Sequence, residues 1–92
     1  MAAIDLSAKG RAATGQGTGD TAYTVTPSPG AQQVHVYAQG SAGTFRYSTD
    51  DDAVILPGNQ WVLVWSVGSA LPTPGAILLA FSGNTTVDVR QS

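Results

Sequence analysis

The stretch Gln60–Gly68, QWVLVWSVG, decides how the rest of the chain is read. It has the composition of a β-strand, rich in tryptophan and β-branched valine. A strand with one face in a core and one in water alternates apolar with polar residues. This one does not. In a regular strand Trp61, Leu63 and Trp65 share one face, and Val62 and Val64 share the other. Both faces are apolar, in a chain of only 92 residues. Something must cover the second face.

A chain of this length makes one domain, and a small domain buries a modest share of its surface. It has no cysteine, so neither a disulfide nor a thiolate metal site supports it, and a reducing compartment suits it. Charged residues make up 11% of the chain, against roughly 25% for an average soluble domain, and the formal charge is −2. Glutamate is absent. Low charge beside 42% hydrophobic residues implies that part of the surface is covered in use. Four basic residues are too few for a nucleic-acid footprint. No apolar run reaches the roughly 20 residues of a membrane span, and MAAIDLSAKGR lacks the pattern of a secretion signal.

Moving outward from the double-faced strand, turn signals punctuate the chain about every ten residues. AYTVTP alternates, with Tyr23 and Val25 on one face. QQVHVYAQG places Val34 and Val36 inward and His35 and Tyr37 outward. GTFRYSTD follows, then an aspartate turn at Asp50–Asp52, and AVIL is a short strand closed by Pro57-Gly58-Asn59. GSALPTPG reads as a loop. AILLAFSG is a second double-faced strand, with Leu78 on its outer side, and Gly83-Asn84 turns into a last strand, TTVDVRQ. No segment has a helical apolar period. The expected fold is all-β: a small antiparallel β-sandwich, jelly-roll-like, of six to eight strands over residues 22–92. Residues 1–21, rich in Ala, Gly, Thr and Ser, read as a flexible N-terminal arm.

The candidate chemistry is sparse. GQGTGD (15–20) lacks the preceding strand and following helix of a phosphate loop, so it reads as linker. The aspartate turn lacks the glycine and distal glutamate of a calcium loop. His35 has no nucleophile to activate and no second histidine for a metal. Asp88 and Arg90 are strand-face neighbours that pair with each other or across the sheet. Asn84-Thr85-Thr86 matches a glycosylation pattern but reads as a turn. Neither catalytic nor cofactor-binding residues are identified, and a non-enzymatic role without cofactor is expected. Trp61 and Trp65, on one strand face, are either core or a sugar-stacking platform, and core packing is the preferred reading.

A two-layer sandwich leaves the outer faces of Gln60–Val67 and Ala76–Phe81 apolar, and exposed apolar surface of this kind marks a protein contact. A second copy of the chain, or a larger protein surface, is the expected cover.

The texture then resembles a known group. YTVTPSPGAQQVHVYA, GTFRYSTDDDAVILPGNQWVLVW and ILLAFSGNTTVDVRQ are similar to small β-sandwich virion proteins of tailed bacteriophages. The shared features are a Thr/Ala/Gly-rich start and a T-P-x-P-G-A turn before a V-x-V strand. An LP-G-N-Q-W turn into an apolar strand and a closing TT-V-D-V strand complete them. Residues 22–91 are covered. The resemblance implies a structural role: a capsid decoration or cement protein that binds and stabilises the assembled head, often as a trimer, with the major capsid protein as partner. Related sandwiches occur in necks, tails and fibres. It implies a location on the virion after synthesis in the host cytoplasm, with neither nucleic acid nor membrane as partner, and no catalytic motif to transfer. The interface candidates are Ile4 and Leu6 as arm anchors, Lys9 and Arg11 toward acidic shell residues, and Trp61, Val62, Val64 and Leu78 on the apolar outer faces. The alternative from another class is a carbohydrate-binding module working through the tryptophans.

Overall fold

A computed structural model describes residues 2–67 and 77–92. The loop expected over GSALPTPG, residues 68–75, lies outside the described residues. Among the described residues every regular element is a strand: β1 (Ala2–Asp5), β2 (Thr14–Thr26), β3 (Gln33–Gln39), β4 (Gly43–Arg46), β5 (Val54–Leu56), β6 (Trp61–Ser66) and β7 (Ile77–Gln91). The all-β expectation holds.

One sheet supplies both layers. β2 and β7 are long, and each breaks register midway. Gly17 pairs Val87, Asp20 pairs Thr85, and Ala22 already pairs Ala80, so Phe81–Asn84 are left over on β7. Unequal residue counts on two paired strands bend both. Residues 14–17 of β2 and 86–91 of β7 form one half-sheet with β3 and β6; residues 22–26 of β2 and 77–81 of β7 form the other with β1, β4 and β5. The inward residues of the halves meet in a single core: Val34, Val36, Val64, Trp65, Val87 and Val89 from one, and Ile4, Tyr23, Val25, Phe45, Ile77, Leu79 and Phe81 from the other. The turn expected at Gly83-Asn84 is therefore a bend within β7.

Tyr23 secures that bend. It is fully buried, its ring edge lies against Phe81 at 6.3 Å between centroids, and its hydroxyl joins the two register breaks. The Asp20 N–H donates to Tyr23 Oη at 3.2 Å. Tyr23 Oη donates to the Thr85 carbonyl at 2.6 Å. The ring needs a bare backbone beneath it. A Cβ on Gly17 would sit 2.4 Å from Tyr23 Cε1, and one on Gly15 would sit 2.8 Å from Ile4 Cγ2.

The N-terminal segment corrects the expectation of a free arm. β1 pairs parallel with the second half of β2, Ile4 beside Val25, and the Leu6 N–H donates to the Thr26 carbonyl at 2.8 Å. Ile4 and Leu6 are buried in this chain's own core. The stretch read as linker, Gly15–Asp20, lies wholly within strand β2. Its low apolar content misleads because the inward positions are glycines, over which Ile4, Leu6 and Tyr23 pack. Between β1 and the part of β2 it pairs with, the chain passes through the opposite half-sheet at residues 14–17, which lets two consecutive strands run parallel.

β6 answers the question of the doubly apolar strand. Val34 pairs Trp65 but His35 pairs Leu63, so Val64 is an extra residue on β6. Past a bulge the facing of side chains is offset by one. Val64 and Trp65 are both buried, while Trp61 and Leu63 face outward. The tryptophans thus lie on opposite faces, correcting the reading that placed them together.

Two consequences are measurable by urea denaturation followed by far-UV circular dichroism. Trp65→Ala lowers stability by about 3–5 kcal/mol, the cost of deleting a core aromatic, whereas Trp61→Ala costs about 1 kcal/mol or less, the scale of an exposed cation–π contact. Gly17→Ala costs about 1–3 kcal/mol through overpacking. Gly15→Ala costs less, because the ends of Ile4 and Leu6 yield more easily than a ring tied at its hydroxyl.

Candidate functional site

The outer face of the β2–β7–β3–β6 half-sheet carries a set of aromatic and polar side chains. Strand alternation and the registers define two rows across it. Gln16, Asp88, Tyr37 and Trp61 form one; Thr14, Arg90, His35 and Leu63 form the next. The bulge at Val64 sets this arrangement, since without it Trp65 would be aligned with Trp61 and Leu63.

The site has two ends. At the aromatic end, Trp61 and Tyr37 meet edge to face, with centroids 5.5 Å apart. The Arg90 guanidinium carbon lies 4.6 Å from the Trp61 ring centre, in cation–π range. Trp61 still leaves 42% of its surface exposed. At the polar end, both Asp88 oxygens are held by amides: Gln16 Nε2 donates to Oδ1 at 2.8 Å, and Gln39 Nε2 donates to Oδ2 at 2.9 Å. The expected neighbours Asp88 and Arg90 thus engage other groups, one a pair of amides and the other a ring. Between the ends runs a groove of about 360 Å³, bordered by Thr14, Gln16, Asp88 and Trp61. His35 is half-buried on the same face.

Supports below the face hold it in place. Tyr47 Oη donates to the carbonyl of Val64, the bulge residue itself. Burial raises the Tyr47 phenol above its ordinary value near 10, and the nearby Asp51 raises it further. The turn before β6 is held by Asn59, at φ 61°, a conformation that asparagine tolerates better than most residues. Its N–H donates to the Ala38 carbonyl at 2.7 Å, and its Oδ1 accepts from the Gly40 N–H at 2.9 Å. At the far end of the half-sheet the buried Gln91 bridges two loops. Its Oε1 accepts from the Ser28 N–H at 3.0 Å, and its Nε2 donates to the Gly10 carbonyl at 2.9 Å.

The interface candidates read from sequence scatter. Ile4, Leu6 and Val64 are buried within the chain, Val62 is half-buried against the core, and Trp61 is exposed. Lys9 and Arg11 are exposed in the loop joining β1 to β2, with Lys9 Nζ donating to the Thr14 carbonyl at 3.4 Å. Leu78 is half-buried on the outer side of the other half-sheet, between Thr24 and Arg46. Sequence reasoning missed Tyr37, Gln16 and Gln39 as neighbours of Trp61 and Asp88. Gln16 stood in the supposed linker, and the others come together only through the pairing of β3 with both β6 and β7. Among the described residues no group of three or more His, Cys, Asp or Glu side chains gathers for a metal. The aspartate run is a turn, in which the Asp51 N–H donates to the Ser48 carbonyl at 3.2 Å.

No family model, curated protein or solved structure matches the chain.

The Tyr47 bond predicts a pH dependence. A phenol whose folded-state pKa is raised binds its proton more tightly when folded. The stability this contributes is complete below about pH 10, the unfolded value, and is lost as pH rises through the folded value. Wild-type urea midpoints should therefore fall more steeply above pH 10 than those of Tyr47→Phe. Parallel slopes for the two proteins would show that Tyr47 makes no such contribution.

Proposed function

We propose that the chain is a structural virion protein, a decoration or cement protein of the tailed-phage head that binds the assembled shell as an oligomer, with a trimer favoured. The observation that supports this best is the outer face of the second half-sheet, away from the aromatic site. There β5 is an edge strand, hydrogen-bonded only to β4 among the described residues. It exposes 74% of Ile55 and 52% of Val54. Beside it lies a shallow groove of about 490 Å³, lined by Ala42, Thr44, Ile55, Ala80 and Ser82. Exposed β-branched residues beside an apolar groove support a protein contact at this face. The low formal charge limits repulsion between densely spaced copies. Many modest contacts repeated over a symmetric shell gain by avidity.

In this reading the shell contact is made by β5 and its groove rather than by an N-terminal arm, because Ile4 and Leu6 are committed to the core. The major capsid protein is the partner, and the binding needs no catalytic group. A neck, tail or fibre component with the same face is the closest variant, and copy number distinguishes it.

Purified particles of the phage that encodes the chain should contain it in numbers comparable to the shell subunit; copies confined to one vertex would assign it to the neck or tail. Recombinant chain should co-sediment with shells lacking it. Ile55→Asp should reduce that retention at least about tenfold, a loss of roughly 1.4 kcal/mol, with an unchanged circular dichroism spectrum. Absence of the chain from purified particles would overturn the proposal. Light scattering should show an oligomer, and a monomer at every concentration would remove the self-association part.

A further inference from the structure

We infer that the Trp61–Asp88 groove is a binding site for a neutral polysaccharide, engaging one or two pyranose units by stacking and by hydrogen bonds. This site lies on the opposite half-sheet from the proposed shell contact and does not depend on it.

Sugars present two kinds of surface: an apolar face of C–H groups and a rim of hydroxyls. A site that selects them needs an accessible aromatic ring and fixed polar groups a few ångströms away. Both are present in one row across the sheet. Trp61 is the exposed ring, oriented by the edge of Tyr37 and by Arg90. Asp88 is the fixed acceptor. Its two oxygens are each held by one amide, leaving further lone pairs on each for a donor. A carboxylate held by two side chains from flanking strands is pre-organised, so little ordering remains to be done on binding. The groove between them is about 360 Å³, the size class of a small-ligand cleft. Because β6 is hydrogen-bonded only to β3 among the described residues, the Trp61 side of the face is open to a chain running past the sheet edge.

Charge selects the class of sugar. One carboxylate and one guanidinium lie in the two rows, Asp88 and Arg90, and the Lys9 ammonium stands at their margin, 3.4 Å from the Thr14 carbonyl. Arg90 is engaged with Trp61, and Asp88 would repel a uronate or a phosphate at the polar end. An uncharged glycan fits better than an acidic one. Trp65 has no part in this site, since it is buried on the other side of the sheet. The aromatic partner of Trp61 is Tyr37 instead.

The test is a fluorescence and calorimetric titration of the full chain with soluble neutral hexasaccharides. The panel consists of the β-1,4-glucose, β-1,4-mannose, β-1,4-N-acetylglucosamine and α-1,4-glucose series, with hexagalacturonate as the acidic comparator. At least one neutral member should bind with a Kd of about 1 mM or tighter and change the emission of Trp61. Trp61→Ala should weaken binding at least about tenfold, and Asp88→Asn at least about fivefold, both with the wild-type circular dichroism spectrum and a melting temperature within about 8 °C of wild type. Ile55→Asp should bind as wild type does, so that loss of shell binding and loss of sugar binding read out separately. Absence of binding by every neutral member up to about 10 mM, tighter binding of hexagalacturonate, or wild-type affinity in Trp61→Ala would each overturn the proposal.

Discussion

The hydrogen bonds of the Tyr23 hydroxyl are the constraint on which the two-layer arrangement depends. They join Asp20 to Thr85, where β2 and β7 both leave register. A single sheet of this size has one inner face only if it folds over, and folding over means breaking the long β2–β7 ladder, here between Gly17 and Asp20 and between Asp20 and Ala22. Each break leaves backbone groups without ladder partners, and buried unpaired backbone groups cost about 1–3 kcal/mol each. One phenolic oxygen serves a donor on one strand and an acceptor on the other. The adjoining glycines leave space for its ring, and the packing of Ile4 and Leu6 over the same glycines draws β1 into the structure.

The two outer faces that result have different chemistry because different residues lie at even positions along the same two strands. On one side of the bend, Ala22 and Thr24 of β2 and Leu78 and Ala80 of β7 make a smooth, weakly polar surface with β5 at its margin. On the other, Gln16 of β2 and Asp88 and Arg90 of β7 make a hydrogen-bonding surface, completed by Tyr37 and Trp61. Smooth apolar surface suits a protein partner, and rigid mixed surface suits a small polar ligand. The proposed roles follow that division.

The bulge at Val64 connects core and site. It turns Trp65 inward, where the indole supplies apolar volume, and keeps Trp61 and Leu63 outward. A strand that is apolar on both faces need not be a strand with two covered faces. Here the excess is divided along the strand, with the C-terminal end contributing two consecutive residues to the core and the N-terminal end contributing an exposed ring. The Tyr47 bond to the Val64 carbonyl satisfies an acceptor at the irregular position.

The amino-acid order by itself determined the all-β class, the position of most strands from β3 onward and the inward sets Val34/Val36 and Val87/Val89. Those properties follow from local alternation and turn residues, which act over a few positions. It did not disclose β1, the first half of β2, the bend of β7 or the bulge of β6. Gly15 and Gly17 resemble linker residues until Ile4 and Tyr23 are seen to pack over them. Whether Trp65 lies beside Trp61 or across the sheet from it depends on pairing with β3, thirty residues earlier in the chain. Asp88 acquires its two amide partners only when β2 and β3 flank β7. Each of these was decided by contacts between distant segments, because register, bulges and side-chain neighbours across a sheet are properties of paired strands and do not exist in one strand alone.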